Sequence, residues 1–276
     1  MDRKKLYLDL VREWSGRMNL VAKSTLDDLD GRHWGDSVQL AGYIESLRDS
    51  HDNFIVVDLG SGAGFPGVVL AILSRPCVGE PVPGSCHAPH RREMDKNHIS
   101  PRQTPLEFGS PSAKYDEVPG RACGLPGMTI GKIICIESIG KKAAFLSEVK
   151  AKLGLDNLEV WNDRIENRIG DIVALRMDGV SGSACGMRSP GRGRQAAPED
   201  DGVIFTARAF ASLEKIFDLT HMVRGARYVL LKGRTAADEV AAAKKSYSFD
   251  YKMTPSKSGD GFVVEAYNVK KSKDKK

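Results

Sequence analysis

The sequence predicts a doubly wound α/β domain, a mainly parallel sheet covered on both faces, behind a small N-terminal helical extension. Three observations predict it. Short apolar runs recur at 54–59, 133–137, 158–161, 203–206, 228–231 and 262–269. Amphipathic segments of helical period lie between several of them, and strands that alternate with helices close as parallel sheets with helices on both sides. A glycine-rich turn, Gly60-Ser61-Gly62-Ala63-Gly64, stands directly after the first run and before a helix.

Taken in order, residues 2–18 place Leu6, Leu10, Val11 and Trp14 at helical spacing. A second helix is expected to open at Ser24, with Asp27 three residues on as its capping-box partner. These helices make up an extension over residues 1–50. The core domain then runs over 51–269. Residues 54–59 read as a short buried strand, and 67–73 begin a helix whose Pro66 suits a first-turn position. The strand at 133–137 is followed by a helix over 141–153 with Ala144, Phe145, Val149 and Leu153 on one face. Strands follow at 158–161, 203–206 and 228–231, helices at 212–223 and 236–245, and 262–269 closes the series.

Two stretches interrupt this rhythm and are expected to be disordered insertions. Across 76–129, Pro76, Pro81, Pro83, Pro89, Pro101, Pro105, Pro111, Pro119 and Pro126 recur at intervals no helix or central strand tolerates. The second, 176–201, is rich in Gly, Ser and Arg and has no sustained period. The last residues, 270–276, form a basic tail, expected to be a solvated end.

Composition narrows the function classes. A chain of 276 residues with 41% hydrophobic content can bury one large core. Its net charge of +5 is compatible with a polyanionic partner and equally with none. Five cysteines, odd in number and without a CxxC pair, indicate neither a disulfide framework nor a zinc knuckle. Cys86, His87, His90 and Cys123 lie in the first insertion at spacings that match no common finger, so no metal site is expected. The charged, amphipathic start is not followed by an apolar segment of signal-peptide length, and the aliphatic run 68–73 is far too short to cross a bilayer. The expectation is a soluble protein in a reducing, cytosolic setting.

The glycine turn carries the first chemical signal. A strand ending at Asp58, then Gly60, Gly62 and Gly64, then a helix, brings bare N–H groups and a helix N-terminus to the carboxyl edge of the sheet, where a side chain would push a ligand away. The letters from Gly62 to Gly67 also satisfy the dinucleotide fingerprint, which keeps an NAD-dependent oxidoreductase in view. In that fingerprint the first glycine turns straight off the strand, a role that falls here to Gly60. Phe65-Pro66 then stands where a pyrophosphate needs open backbone. S-adenosylmethionine has no phosphate and tolerates a longer turn. A turn with no ligand is the bland alternative. Glu137, ending the second strand, suits the ribose hydroxyls of either cofactor.

Several further segments agree in order. "NLVAKSTLDDLDGRHWGDSV", "DLGSGAGFPGVVLAI", "IESIGKKAAFLSEVKAKLGLDNLEVWNDRIE" and "FTARAFASLEKIF" with the later "LLKG" resemble the RsmG (GidB) family of bacterial methyltransferases, over nearly the whole chain except the two insertions. The resemblance implies a class I S-adenosylmethionine-dependent, Rossmann-like methyltransferase fold. It also implies transfer of a methyl group to guanine N7 in the 530 loop of 16S rRNA, as naked rRNA or in the 30S subunit. By the same resemblance, cofactor contacts fall on Gly60 with its turn, Phe65, Glu137 with Ser138, Ile165 with Glu166, and Arg208. For Ile165, ordinary core packing is the alternative.

The expected chemistry matches what the sequence lacks. Guanine N7 has an in-plane lone pair and no proton, so attack on a sulfonium methyl needs alignment and no base. No cysteine nucleophile is called for, and no Asp-Pro-Pro-Tyr-like run for an exocyclic amine is present. RNA is expected on Lys141, Lys142, Arg164 and Lys232, all at strand-to-helix ends on the ligand side, with a solvated face as the alternative for either lysine of the 141–142 pair. Arg208, Lys232 and His33 are expected to position the substrate. His33 and Asp36 are expected to brace the extension near it, and an ordinary structural histidine stays open. A third reading of the chain is a non-catalytic RNA-binding protein with the same fold.

Overall fold

Strand runs that are apolar on both faces need cover on both, and the fold supplies it. The computed structural model describes residues 2–47, 54–74, 130–181, 202–259 and 261–272, with side chains excepted over 176–181. All of these residues fall within one compact unit. Among the described residues, seven strands form one sheet: β1 (Ile55–Leu59), β2 (Lys132–Ile136), β3 (Leu158–Trp161), β4 (Val203–Arg208), β5 (Arg227–Lys232), β6 (Tyr247–Pro255) and β7 (Phe262–Lys271). Their spatial order is β3-β2-β1-β4-β5-β7-β6. The first five are parallel, and β7 pairs antiparallel with both β5 and β6. This is the expected doubly wound, mainly parallel sheet of Rossmann-like order.

Each face has its own core. One holds Val56, Ile133, Cys135, Ile204, Val229 and Val263 against α1 (Arg3–Ser15), α2 (Asp36–Ser46), α3 (Gly67–Leu73) and α4 (Gly140–Leu153). The other holds Val57, Ile134, Phe205, Leu230 and Val264 against α5 (Ile165–Ser181), α6 (Leu213–Thr220) and α7 (Ala236–Ser246). Strand order reverses between β1 and β4. The crevice outside the carboxyl ends of these two strands is the topological switch point where open α/β sheets bind ligands.

Several expectations shift. The second helix does not open at Ser24 with Asp27 as its partner. Lys23–Thr25 is a 3₁₀ turn, and Asp28 accepts the Gly31 N–H at 3.0 Å to cap a π-helical stretch, Leu29–Gly35, that runs into α2. On α4, Ala143 and Leu146 are buried and Ala144 is exposed, because the apolar stripe follows Phe145, Val149 and Leu153 one residue round. Two elements went unpredicted. α5 follows β3 directly and continues to Ser181, into the stretch expected to be an insertion from 176. β6 alternates Tyr247, Ser248, Phe249 and Asp250, burying Tyr247 and Phe249 on the α6 ring of Phe217 at centroid distances of 5.5 and 4.9 Å. The rest of both expected insertions, including Cys86, His87, His90 and Cys123, and most of the tail lie outside the described residues.

Candidate active site

The glycine turn is built by its own neighbours as much as for a ligand. Gly60 has φ +64°, and a Cβ there would meet the Phe210 ring at 2.3 Å. Gly64, at φ +91°, would meet Val68 at 2.4 Å. Both positions demand glycine from within the protein, whereas the expectation assigned the demand to a ligand. Gly62 differs: φ is +56°, yet the nearest atom to an added Cβ is the Gly60 carbonyl at 3.8 Å, an ordinary contact, so no neighbouring side chain crowds this residue.

Glu137 is tied to this glycine. It is buried, and its carboxylate accepts the Gly62 N–H at 2.9 Å and the Ile139 N–H at 2.8 Å. The two bonds fix the carboxylate plane and leave each oxygen a further lone pair. Asn162, at the end of β3, donates to the Glu137 carbonyl at 2.9 Å and ties the third strand to the second. Ser138 and Glu166 are exposed, Ile165, the first residue of α5, is buried in the core, and Ile139 is half exposed close to Glu137. Sequence reasoning missed Asn162 and Ile139. Their signal was adjacency to a strand end, too common to single them out.

Under the turn lies a buried polar pair. Asp58 and Thr206 are register partners on β1 and β4, both fully buried. Asp58 Oδ2 accepts the Gly67 N–H at 3.1 Å, but Asp58 Oδ1 and Thr206 Oγ1 have no hydrogen-bond partner among the described residues. Burial pushes the Asp58 carboxyl up to about 7; the Ser61 hydroxyl and the Gly67 N–H pull it back, and the Glu137 charge adds to the rise.

The other wall comes from β4 and the extension. Arg208 ends β4, with a side chain 21% exposed. Its Nη1 lies 2.7 Å from His33 Nδ1 and its Nη2 3.3 Å from Asp36 Oδ2. Asp36 is thus the anionic partner that a buried arginine requires. Burial, followed by the Arg208 and Arg32 charges, lowers His33 to about 4. Phe65 is buried and turns its ring toward Tyr7 and His33, at 5.3 and 5.0 Å, while the Tyr7 hydroxyl donates to the Ala63 carbonyl at 2.7 Å. The extension therefore grips the glycine turn and the β4 end together.

After Arg208, Ala209 takes a left-handed φ of +53° and Phe210 lies over Gly60. Lys232 anchors this loop. Its ammonium donates to the Ala211 carbonyl and pairs with Glu239 at 2.8 Å, with only 8% of the side chain exposed. Lys232 is thus engaged by protein, while Lys141 and Arg164 are exposed and Lys142 is half buried. A cleft of about 310 Å³, lined by Arg32, Asp36, Arg208, Lys232, Ser256 and Ser258 among others, opens beside Arg208. Among the described residues there is no group of three or more metal-ligating side chains, and no helix is long and apolar enough to cross a membrane.

Comparison with known proteins gives this arrangement a family. The model of the family described as rRNA small subunit methyltransferase G matches residues 2–77, the extension and the glycine turn. The ribosomal RNA small subunit methyltransferase G of Rhodospirillum centenum is 30% identical over 261 residues, covering 94% of this chain and 79% of that protein. This chain belongs to the ribosomal RNA small subunit methyltransferase G family. Other members align over similar lengths: that of Paramagnetospirillum magneticum is 29% identical, covering 96% of this chain and 86% of its own, and that of Rickettsia prowazekii is 25% identical, covering 98% and 95%. Among solved structures, an rRNA methylase from Streptococcus thermophilus is a distant likeness, with a TM-score of 0.35 at 15% identity over 83% of this chain and 93% of that one. Within the family's frame, Gly62, Glu137 and Arg208 stand at the exits of β1, β2 and β4, the first two joined by a hydrogen bond.

Proposed function

We propose that this protein transfers a methyl group from S-adenosylmethionine to a guanine N7 of small-subunit ribosomal RNA, with the assembled 30S subunit or its rRNA as substrate. The observation that carries the reading is the hydrogen-bonded pair of Glu137 and Gly62, a glycine that no neighbouring side chain crowds, at the switch point, in a member of this family. The residues present fit the cofactor. Glu137 keeps lone pairs for ribose hydroxyls, the half-exposed Ile139 supplies apolar surface for an adenine, and the side-chain-free backbone at Gly62 admits a methionine moiety. The dinucleotide alternative fits less well, since Phe65 packs into the extension at the place where a pyrophosphate needs bare N–H groups.

When bound, the cofactor supplies an electrophilic methyl on a sulfonium. The chain's own work is alignment. N7 brings its own lone pair, so no side chain has to take a proton, and the titratable groups here are already engaged: Glu137 by backbone N–H groups, Asp36 by Arg208, and His33 by Arg208. Arg208 has further N–H donors beside the cleft, suited to a carbonyl or phosphate oxygen of the substrate. The exposed Lys141 and Arg164 suit phosphate contacts farther out.

The test is product analysis. Incubation of methyl-labelled S-adenosylmethionine with 30S subunits from a strain lacking the modification is expected to place label on guanine N7 of 16S rRNA. Binding of subunits with no labelled nucleoside would leave a binding protein in place of an enzyme.

A further inference from the structure

The Arg208 guanidinium is held by two partners from the N-terminal extension, and the direction of every hydrogen between them can be assigned. A guanidinium has only donors, so the 2.7 Å contact from Arg208 Nη1 requires His33 Nδ1 to carry no proton. The ring proton then sits on Nε2, 2.8 Å from Thr25 Oγ1. Thr25 can receive it because its own hydroxyl donates to the Ala22 carbonyl at 2.8 Å. Protonating the imidazole breaks this line. Burial first, then the charges of Arg208 from β4 and Arg32 from its own segment, keep the ring neutral near pH 7, while the Asp28 carboxylate that also faces it pulls the other way.

On the other side, Asp36 Oδ2 meets Arg208 Nη2, while Asp36 Oδ1 accepts Gln39 Nε2 at 3.2 Å and Ser256 Oγ at 2.9 Å. Gln39 Nε2 also donates to Ser256 Oγ at 2.8 Å, and Gln39 Oε1 accepts the Lys257 N–H at 3.1 Å. Asp36, Gln39 and Ser256 are all buried. Breaking one link leaves a desolvated polar group unmatched. The chain therefore runs from Thr25 through His33, Arg208 and Asp36 to the turn between β6 and β7. Arg208 engages two of its five donors in it.

We propose that His33, together with Gln39 and Ser256 acting through Asp36, are positioning residues that fix the Arg208 guanidinium, so that the extension and the β6–β7 turn set where its remaining N–H groups point in the cleft. The proposal rests on the reading of Arg208 as a substrate-side group, and none of the three is placed on the reacting atoms.

Kinetics on 30S subunits with the full chain, paired with NMR, test it. Arg208→Ala is expected to lower kcat by about 100-fold. His33→Ala is expected to lower it by about 10-fold while the KM for the cofactor stays within about twofold. Added to Arg208→Ala, His33→Ala changes nothing further, because it acts through that one contact. His33→Asn, whose amide oxygen stands where Nδ1 stood, recovers most of the activity; His33→Gln, whose amide group stands near Nε2, does not. Gln39→Leu and Ser256→Ala follow the pattern of His33→Ala with smaller losses. Independently of turnover, long-range proton–nitrogen correlation spectra of the wild-type chain show His33 as the neutral Nε2–H tautomer near pH 7. Multiplicative losses in the double variant, equal rescue by Gln, or an Nδ1–H tautomer would overturn the clamp. Normal turnover in Arg208→Ala would instead overturn the substrate-side reading of Arg208, and the tautomer would then decide whether the clamp exists.

Discussion

The two halves of the crevice are built in opposite ways. On the β1–β2 side, Glu137 is held by backbone N–H groups, one of them two residues away, and the turn opposite is shaped by left-handed glycines. On the β4 side, Arg208 is held by side chains, and its bond to His33 spans 175 residues of sequence. Backbone-built geometry survives most side-chain changes except those at the glycines. A side-chain clamp fails one link at a time. Damage to the first half should therefore appear in cofactor affinity and folding, and damage to the second in turnover.

The largest expected effect is the turnover loss in Arg208→Ala described above, and the comparison adds that this variant keeps its thermal shift with S-adenosylhomocysteine. Loss of that shift would place Arg208 in the cofactor half instead. Next, Glu137→Ala removes the acceptor of two N–H groups and is expected to weaken S-adenosylhomocysteine binding by about 10- to 30-fold, roughly 1.4 to 2 kcal/mol, read by calorimetry. An unchanged affinity would separate Glu137 from the cofactor.

A glycine pair sharpens the same contrast at smaller scale. Gly60→Ala suffers both the left-handed backbone and a collision with Phe210, and is expected to destabilise the fold by about 2–3 kcal/mol in urea unfolding. Gly62→Ala meets only the backbone term, about 1 kcal/mol, yet puts a methyl on the glycine bonded to Glu137 and so reduces cofactor affinity more than its stability loss suggests. Equal effects at the two positions would remove the distinction drawn between them.

Acidity separates the halves as well. Asp58 has a folded pKa raised from 3.8 to about 7, so its contribution to stability is fully present below pH 3.8 and is lost as pH rises through about 7. His33 is lowered from 6.5 to about 4, so stability is fully present above pH 6.5 and is lost as pH falls toward 4. The two oppose each other between those limits. Melting curves of Asp58→Asn against wild type are expected to show the variant gaining relative stability as pH rises from about 5 to 8; a constant difference would mean that Asp58 is ionised throughout. The smallest effect belongs to the rim. Lys141→Ala is expected to raise the KM for 30S about twofold and reduce the salt dependence of binding by roughly one phosphate contact, with kcat unchanged.

How much of this was legible in the sequence follows from the same division. The glycine turn, Glu137, the strands β1 to β5 and the helices between them other than α5 could be read because they rest on local chain geometry. Arg208 was reached only through the resemblance, and its clamp was invisible: nothing near Asp36 or Gln39 announces Ser256, some 220 and 217 residues away. β6 was overlooked although Tyr247, Phe249, Tyr251 and Met253 alternate with polar residues, because the last helix runs into it with no turn residue between. α5 was hidden by the polar, low-complexity stretch into which it extends. The reason for Gly60 was misread, since Phe210, a residue of another strand's loop, supplies the crowding that a ligand was expected to supply.

Cofactor and substrate must meet in one crevice served by both halves. A crystal structure of the protein with S-adenosylhomocysteine tests this most directly. The expected result is the ribose on Glu137, the amino-acid end over Gly62 and the sulfur facing the cleft beside Arg208. A ligand bound away from the exits of β1 and β2, or one whose sulfur is walled off from Arg208, would contradict it.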